Sequence, residues 1–121
     1  MKQILSIEEL RQRIANNKTR MAMDEVLSCF YSNNLRSAVV MLYSTVVSDL
    51  YYKVLDLRDL YTDGGAIQIL EEIEKRKKTD PKSSAWEMVM PEMCMKQNKI
   101  IRTEDYAHYE SLQNERNLCA H

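Results

Sequence analysis

The run LRSAVVMLYSTVVSDLYYKVLDLRD, residues 35–59, decides the fold of this chain. Plotted at about 100° per residue, Val39, Val40, Leu42, Tyr43, Val46, Val47, Leu50, Tyr51 and Val54 cover most of the circumference rather than one stripe. Strand-forming residues are plentiful here, but the run is far longer than the common strand of about 5–6 residues. It predicts a long helix, opened by Asn34, buried on several sides at the centre of the molecule. Its most apolar part is interrupted by Ser44, Ser48, Asp49 and Lys53, whereas a membrane span needs about 20 mostly apolar residues. The expectation is a buried helix and no membrane partner. Ser37, Ser44 and Ser48 fall near one face, where small side chains would let a neighbouring helix approach closely.

Upstream of this run, Ser6-Ile-Glu-Glu9 is a capping-box pattern that predicts a first helix to Asn16, with Ile7, Leu10 and Ile14 as its apolar stripe. Thr19 is the expected cap of a second helix ending at Tyr31, and Asn33-Asn34 breaks the chain before the long helix. Downstream, Asp63-Gly64-Gly65 is a second break. The pattern then predicts a helix over 66–78, with Ile67, Leu70 and either Ile69 or Ile73 inward. Its last turn, Lys75 to Lys78, complements the helix dipole. Ser83 or Ser84 is expected to cap a segment holding Trp86, Met88, Met90, Met93 and Met95, which Pro91 kinks or splits. The methionines read as core filling in preference to an adaptable partner groove. Thr103 caps a final helix over 103–121. The fold expected is all-α: an antiparallel helical bundle of five to six helices forming one domain over 1–121.

Composition agrees. The 121 residues are 45% hydrophobic and 29% charged, with two Gly and two Pro, which suits long helices and a folded core. A net charge of −1 excludes nucleic-acid binding by bulk positive charge, but not a local phosphate site. Cys29, Cys94 and Cys119 are odd in number and widely spaced, and no secretory leader pattern opens the chain. Free thiols and a cytoplasmic setting are the expectation. Because the final helix runs to His121 without a stop signal, the chain is expected to be the N-terminal part of a longer one.

On the final helix, Tyr109, Leu112, Cys119 and Ala120 form the apolar stripe, and Arg116 falls in its middle. Glu110, Asn114, Asn117 and His121 make a polar arc beside it, with Asn117 and His121 four apart on one face. A guanidinium on a buried stripe is costly unless it is paired or reaches an interface. Arg, Asn and His together also suit phosphate chemistry. Arg offers a fork of donors, His moves a proton near neutral pH, and Asn orients without titrating. The structural alternatives are that Arg116 pairs with Glu110, Glu115 or an acid on another helix, and that Asp49 makes an i,i+4 pair with Lys53.

Arg116-Asn117-Leu118-Cys119-Ala120-His121 resembles the Arg-x(4–6)-His motif of HEPN domains, in the form where Asn follows Arg. Arg102 and His108 fit the same spacing, but Arg102 precedes the cap Thr103 and lacks the following Asn. The resemblance implies a helical bundle acting as a homodimer, in which the paired motifs form a metal-independent endoribonuclease site with no cofactor. Such proteins serve as toxins, with an antitoxin partner, or in antiviral defence. It also implies the roles. His121 would be general base or acid at the ribose 2′-hydroxyl or the leaving oxygen, and Arg116 would hold the scissile phosphate. Asn117 would orient one of them, Asn114 would help bind substrate, and Asp49 would support from the long helix. Two readings stand beside this one. The first is a non-catalytic HEPN-like module binding RNA, a nucleotide or a protein. The second is a helical dimerisation domain of a larger protein with a fused effector.

Overall fold

A computed structural model describes residues 6–97 and 99–120 of the chain. These residues form an all-α bundle of six helices and contain no strand. In chain order they are α1 (Ile7–Gln12), α2 (Asn17–Tyr31), α3 (Leu35–Tyr61), α4 (Gly64–Thr79), α5 (Trp86–Lys96) and α6 (Thr103–Ala120).

Helix α3 is central and packs against α2, α4, α5 and α6. Its Tyr43, Val47, Leu50 and Val54 meet Ala66, Ile69, Leu70 and Ile73 of α4 and Met90 and Cys94 of α5 in one core. This is why its apolar residues are not confined to one stripe: several neighbours bury it. Among the described helices α3 alone has the length and apolarity of a membrane span, yet Tyr43, Val47, Leu50 and Val54 are at most 2% exposed within the bundle. Met90 fills the core as expected, and both Ile69 and Ile73 are buried, while Ile67 is only half-buried. Burial pushes the Cys94 thiol up to about 12, so it packs as a small neutral hydrophobe.

Short connections set antiparallel neighbours. Asn33, at φ 62°, turns the chain between α2 and α3. Thr62, at φ 51°, ends α3 and returns the chain into α4. Contacts along the pairs confirm the directions. Thr19 near the start of α2 meets Asp49 well along α3, while Cys29 near the end of α2 meets Met41 near the start of α3.

Several boundaries differ from the sequence pattern, each for a local reason. Helix α1 stops at Gln12 rather than Asn16, because Asn16 caps α2 instead, its side chain accepting from the Thr19 N–H. Thr19 is then free to lie inside α2 and donate its hydroxyl to Asp49. Gly64 and Gly65 lie inside α4 because the Asp63 carboxylate accepts from the Ala66 N–H and starts the helix two residues early. Helix α5 runs through Pro91 unsplit; the ring costs the N–H that would have bonded Glu87 and is buried in the core. Neither Ser83 nor Ser84 is the cap of α5, whose cap position is Ala85; the Ser83 hydroxyl accepts from the N–H of that cap residue, two positions on. Ser44 and Ser48 are exposed and border a groove against Lys18, Ala22 and Glu25 of α2, and Ser37 is half-buried.

Candidate functional site

Arg116 lies where α3, α5 and α6 meet. Helices α3 and α6 run antiparallel, with Tyr109 alongside Asp49 and Arg116 two turns later alongside Tyr43. The last turns of α6 carry its polar arc outward as the helical angle requires: Glu110, Asn114 and Asn117 are exposed, whereas Leu112, Arg116 and Cys119 are half-buried. Arg116 therefore sits on the inward edge of the helix and Asn117 just outside it. His121 lies outside the described residues.

The Arg116 guanidinium stacks over the Tyr43 ring, its carbon 4.6 Å from the ring centroid. A cation over an aromatic face contributes about 0.5–2 kcal/mol, more as water is excluded. Tyr43 is 1% exposed, so this face is dry on the protein side. The arrangement answers how a guanidinium can occupy an apolar stripe: an aromatic surface, not a carboxylate, receives it. Among the described residues Arg116 forms no ion pair, and neither Glu110 nor Glu115 engages it. Its Nε is buried without a hydrogen-bond partner, and so is the Tyr43 hydroxyl. Buried polar atoms of this kind are uncommon and costly.

Two further groups border this seam. Glu87, on the first turn of α5, is half-buried and faces Arg116 from beyond ion-pair distance. Burial pushes its carboxyl above the usual carboxylate range, opposed by the Arg116 charge and by a hydrogen bond with Ser84. Gln113 lies one turn before Arg116 and stands near the Tyr43 hydroxyl. That hydroxyl is itself raised above its ordinary value by burial and by Glu87, against the opposing pull of Arg116 and Gln113. The seam holds a cation over an aromatic face, a carboxyl raised by burial, and a phenol that Arg116 and Gln113 approach without a hydrogen bond of ordinary length.

Asp49 belongs elsewhere. It accepts from the Thr19 hydroxyl at 2.8 Å and pairs with Lys53 at 2.7 Å, as the i,i+4 spacing predicts. It borders a groove of about 710 Å³ between the α1–α2 connection and α3. Six residues along α3 separate it from Tyr43, about 9 Å of helix rise, so the structure does not bring Asp49 and Arg116 together. Arg102 precedes α6 and interacts with Glu104 and Asp105 at 3.6 and 3.5 Å, and its backbone N–H donates to Asp105. His108 is exposed one and a half turns into α6 and borders a separate shallow groove with Lys53 and Asp105. Among the described residues no three His, Cys, Asp or Glu side chains gather closely enough to hold a metal ion.

Sequence reading alone did not single out Tyr43 or Glu87. Tyr43 sits within the apolar circumference of α3, and its hydroxyl was the only signal that it does more than fill space. Comparison of the chain with protein-family models, curated proteins and solved structures finds no match.

Proposed function

We propose that the chain is a metal-independent endoribonuclease of HEPN-like type, working as a homodimer in a toxin or antiviral defence system. The observation that carries this reading is Arg116: a guanidinium seated on a buried aromatic face, without an ion-pair partner among the described residues. A cation so placed attracts an anion, and the planar fork of Arg suits phosphate oxygens. Its neighbours in sequence, Asn117 and His121, supply the remaining chemistry of the motif.

In this reading Arg116 holds the scissile phosphate and stabilises the charge that builds on its oxygens. The His121 imidazole of one chain takes the proton of the ribose 2′-hydroxyl. The 2′-oxygen forms a bond to phosphorus as the bond from phosphorus to the 5′-oxygen breaks. A second imidazole, from the paired motif, gives its proton to the leaving 5′-oxygen. The products are a 2′,3′-cyclic phosphate end and a 5′-hydroxyl end. Asn117, exposed beside Arg116, orients the phosphate or the imidazole, and Asn114 contacts the substrate backbone.

The test is incubation of purified protein with mixed RNA in EDTA, beside Arg116→Ala and His121→Ala. Cleavage leaving cyclic-phosphate ends, abolished in both variants, supports the reading. Intact RNA with every preparation folded and dimeric overturns it and favours the non-catalytic binding module.

A further inference from the structure

We propose that Tyr43 is a positioning residue: its ring is the seat that presets the Arg116 guanidinium for the phosphate. This rests on the ribonuclease reading above and names a residue that the six-residue motif does not contain.

Three observations converge on the seat. The guanidinium lies over the ring at 4.6 Å rather than against a carboxylate. The ring belongs to one of the least exposed large side chains among the described residues, a member of the main core that α3, α4 and α5 build. The buried Nε of Arg116 forms no hydrogen bond that would fix the side chain instead. An arginine carries several rotatable bonds and loses much rotamer freedom when held. Among the described residues no ion pair and no hydrogen bond from Nε does the holding, and the Tyr43 side chain is what remains.

The choice of an aromatic seat has a chemical consequence. A carboxylate at that position would fix Arg116 equally well, but would compete with phosphate for it. A neutral ring fixes the cation and leaves its charge uncompensated. Glu87, the acid on α5 that Arg116 acts on, stands back beyond ion-pair distance, and its burial works against its charged form. The geometry thus keeps a cation in place without neutralising it, which is what a site that must receive a transient anion requires.

The seat is read in two ways on the intact protein. In wild type the Arg116 Nε–H resonance, assigned by its disappearance in Arg116→Lys, should lie upfield of other arginine signals because of the ring beneath it. It should keep that position in Tyr43→Phe and lose it in Tyr43→Leu and Tyr43→Met, two replacements of which at least one should fold. In the cleavage assay, Tyr43→Phe should stay near wild type. The leucine and methionine variants should lose about 30-fold or more in kcat, the order expected for a misplaced positioning group, with KM little changed. A merely structural tyrosine would lower the folded fraction in the leucine and methionine variants while leaving kcat per folded molecule at the wild-type value. Cleavage by a folded Tyr43→Leu at the wild-type kcat overturns this proposal while leaving the ribonuclease reading intact. An Arg116 resonance at the ordinary position in wild type also overturns it. A shifted resonance in a wild-type protein that leaves all RNA intact overturns both.

Discussion

Asp49 and Arg116 are both charged, both half-buried and both at helix seams against α3 or within it, yet the chain treats them in opposite ways. Asp49 receives a hydroxyl from Thr19 and an ammonium from Lys53, and its side chain is 20% exposed. Its charge is matched within the chain. Among the described residues Arg116 receives the face of Tyr43 and no ion-pair partner, and its buried Nε has no hydrogen bond. A charge fully matched by its own fold has no need of a ligand; one held without being matched is available to one. In the ribonuclease reading proposed above, that difference separates a structural ion from a functional one, although both came from the sequence as candidates for the same site.

The largest effect expected is on the core that separates and positions the two sites. Ile69→Ala removes a fully buried side chain between α3 and α4, and urea unfolding should show a loss of about 2–5 kcal/mol. A loss under about 1 kcal/mol would mean that the seams are not held by a common core. Next comes Arg116→Met. It should reduce RNA cleavage by about 10²-fold or more, while stability stays within about 1 kcal/mol, because the lost stacking is offset by relief of an unmatched buried charge. Asp49→Ala should do the reverse. It strands the hydroxyl of Thr19, which is 6% exposed, and should cost about 1–3 kcal/mol with cleavage per folded molecule unchanged. If both variants behaved alike in either assay, the distinction between matched and unmatched charge would collapse.

The smallest effect concerns Glu87. Its carboxyl is raised in the folded state, chiefly by burial. A raised carboxyl favours the fold when protonated and works against it as pH rises through the folded-state value. Glu87→Gln should therefore melt slightly above wild type at neutral pH, and the gain should vanish in acid, where the wild-type carboxyl is protonated. Melting curves at the two pH values decide it; a variant less stable at neutral pH would show that Glu87 serves Arg116 as a true counter-ion.

The periodicity of residues 35–59 was enough to place α3 at the centre, and the angular plot of the last helix placed Arg116 on the inward edge and Asn117 outside it. Those properties follow from local spacing, which the chain carries in full. The Asp49–Lys53 pair was legible for the same reason, being one helical turn. The cap of α2 was not. Asn16 and Thr19 are both competent caps; Asn16 takes the role while the Thr19 hydroxyl bonds Asp49, thirty residues away, a contact that local spacing does not reveal. The seat of Arg116 was hidden for a related reason. Tyr43 and Arg116 are separated by α4 and α5, and nothing in the spacing of either says which aromatic of α3 lies opposite. The standing-off of Glu87 was hidden too, since an acid on a neighbouring helix reads in a sequence as a ready ion-pair partner.

The measurement closest to the central claim is RNA cleavage in EDTA by Arg116→Met and wild type at equal folded concentration, with the ends of the products determined. The account predicts fragments with 2′,3′-cyclic phosphate ends from wild type and essentially none from the variant. Equal cleavage by both, or no cleavage by a folded, dimeric wild type, would contradict it.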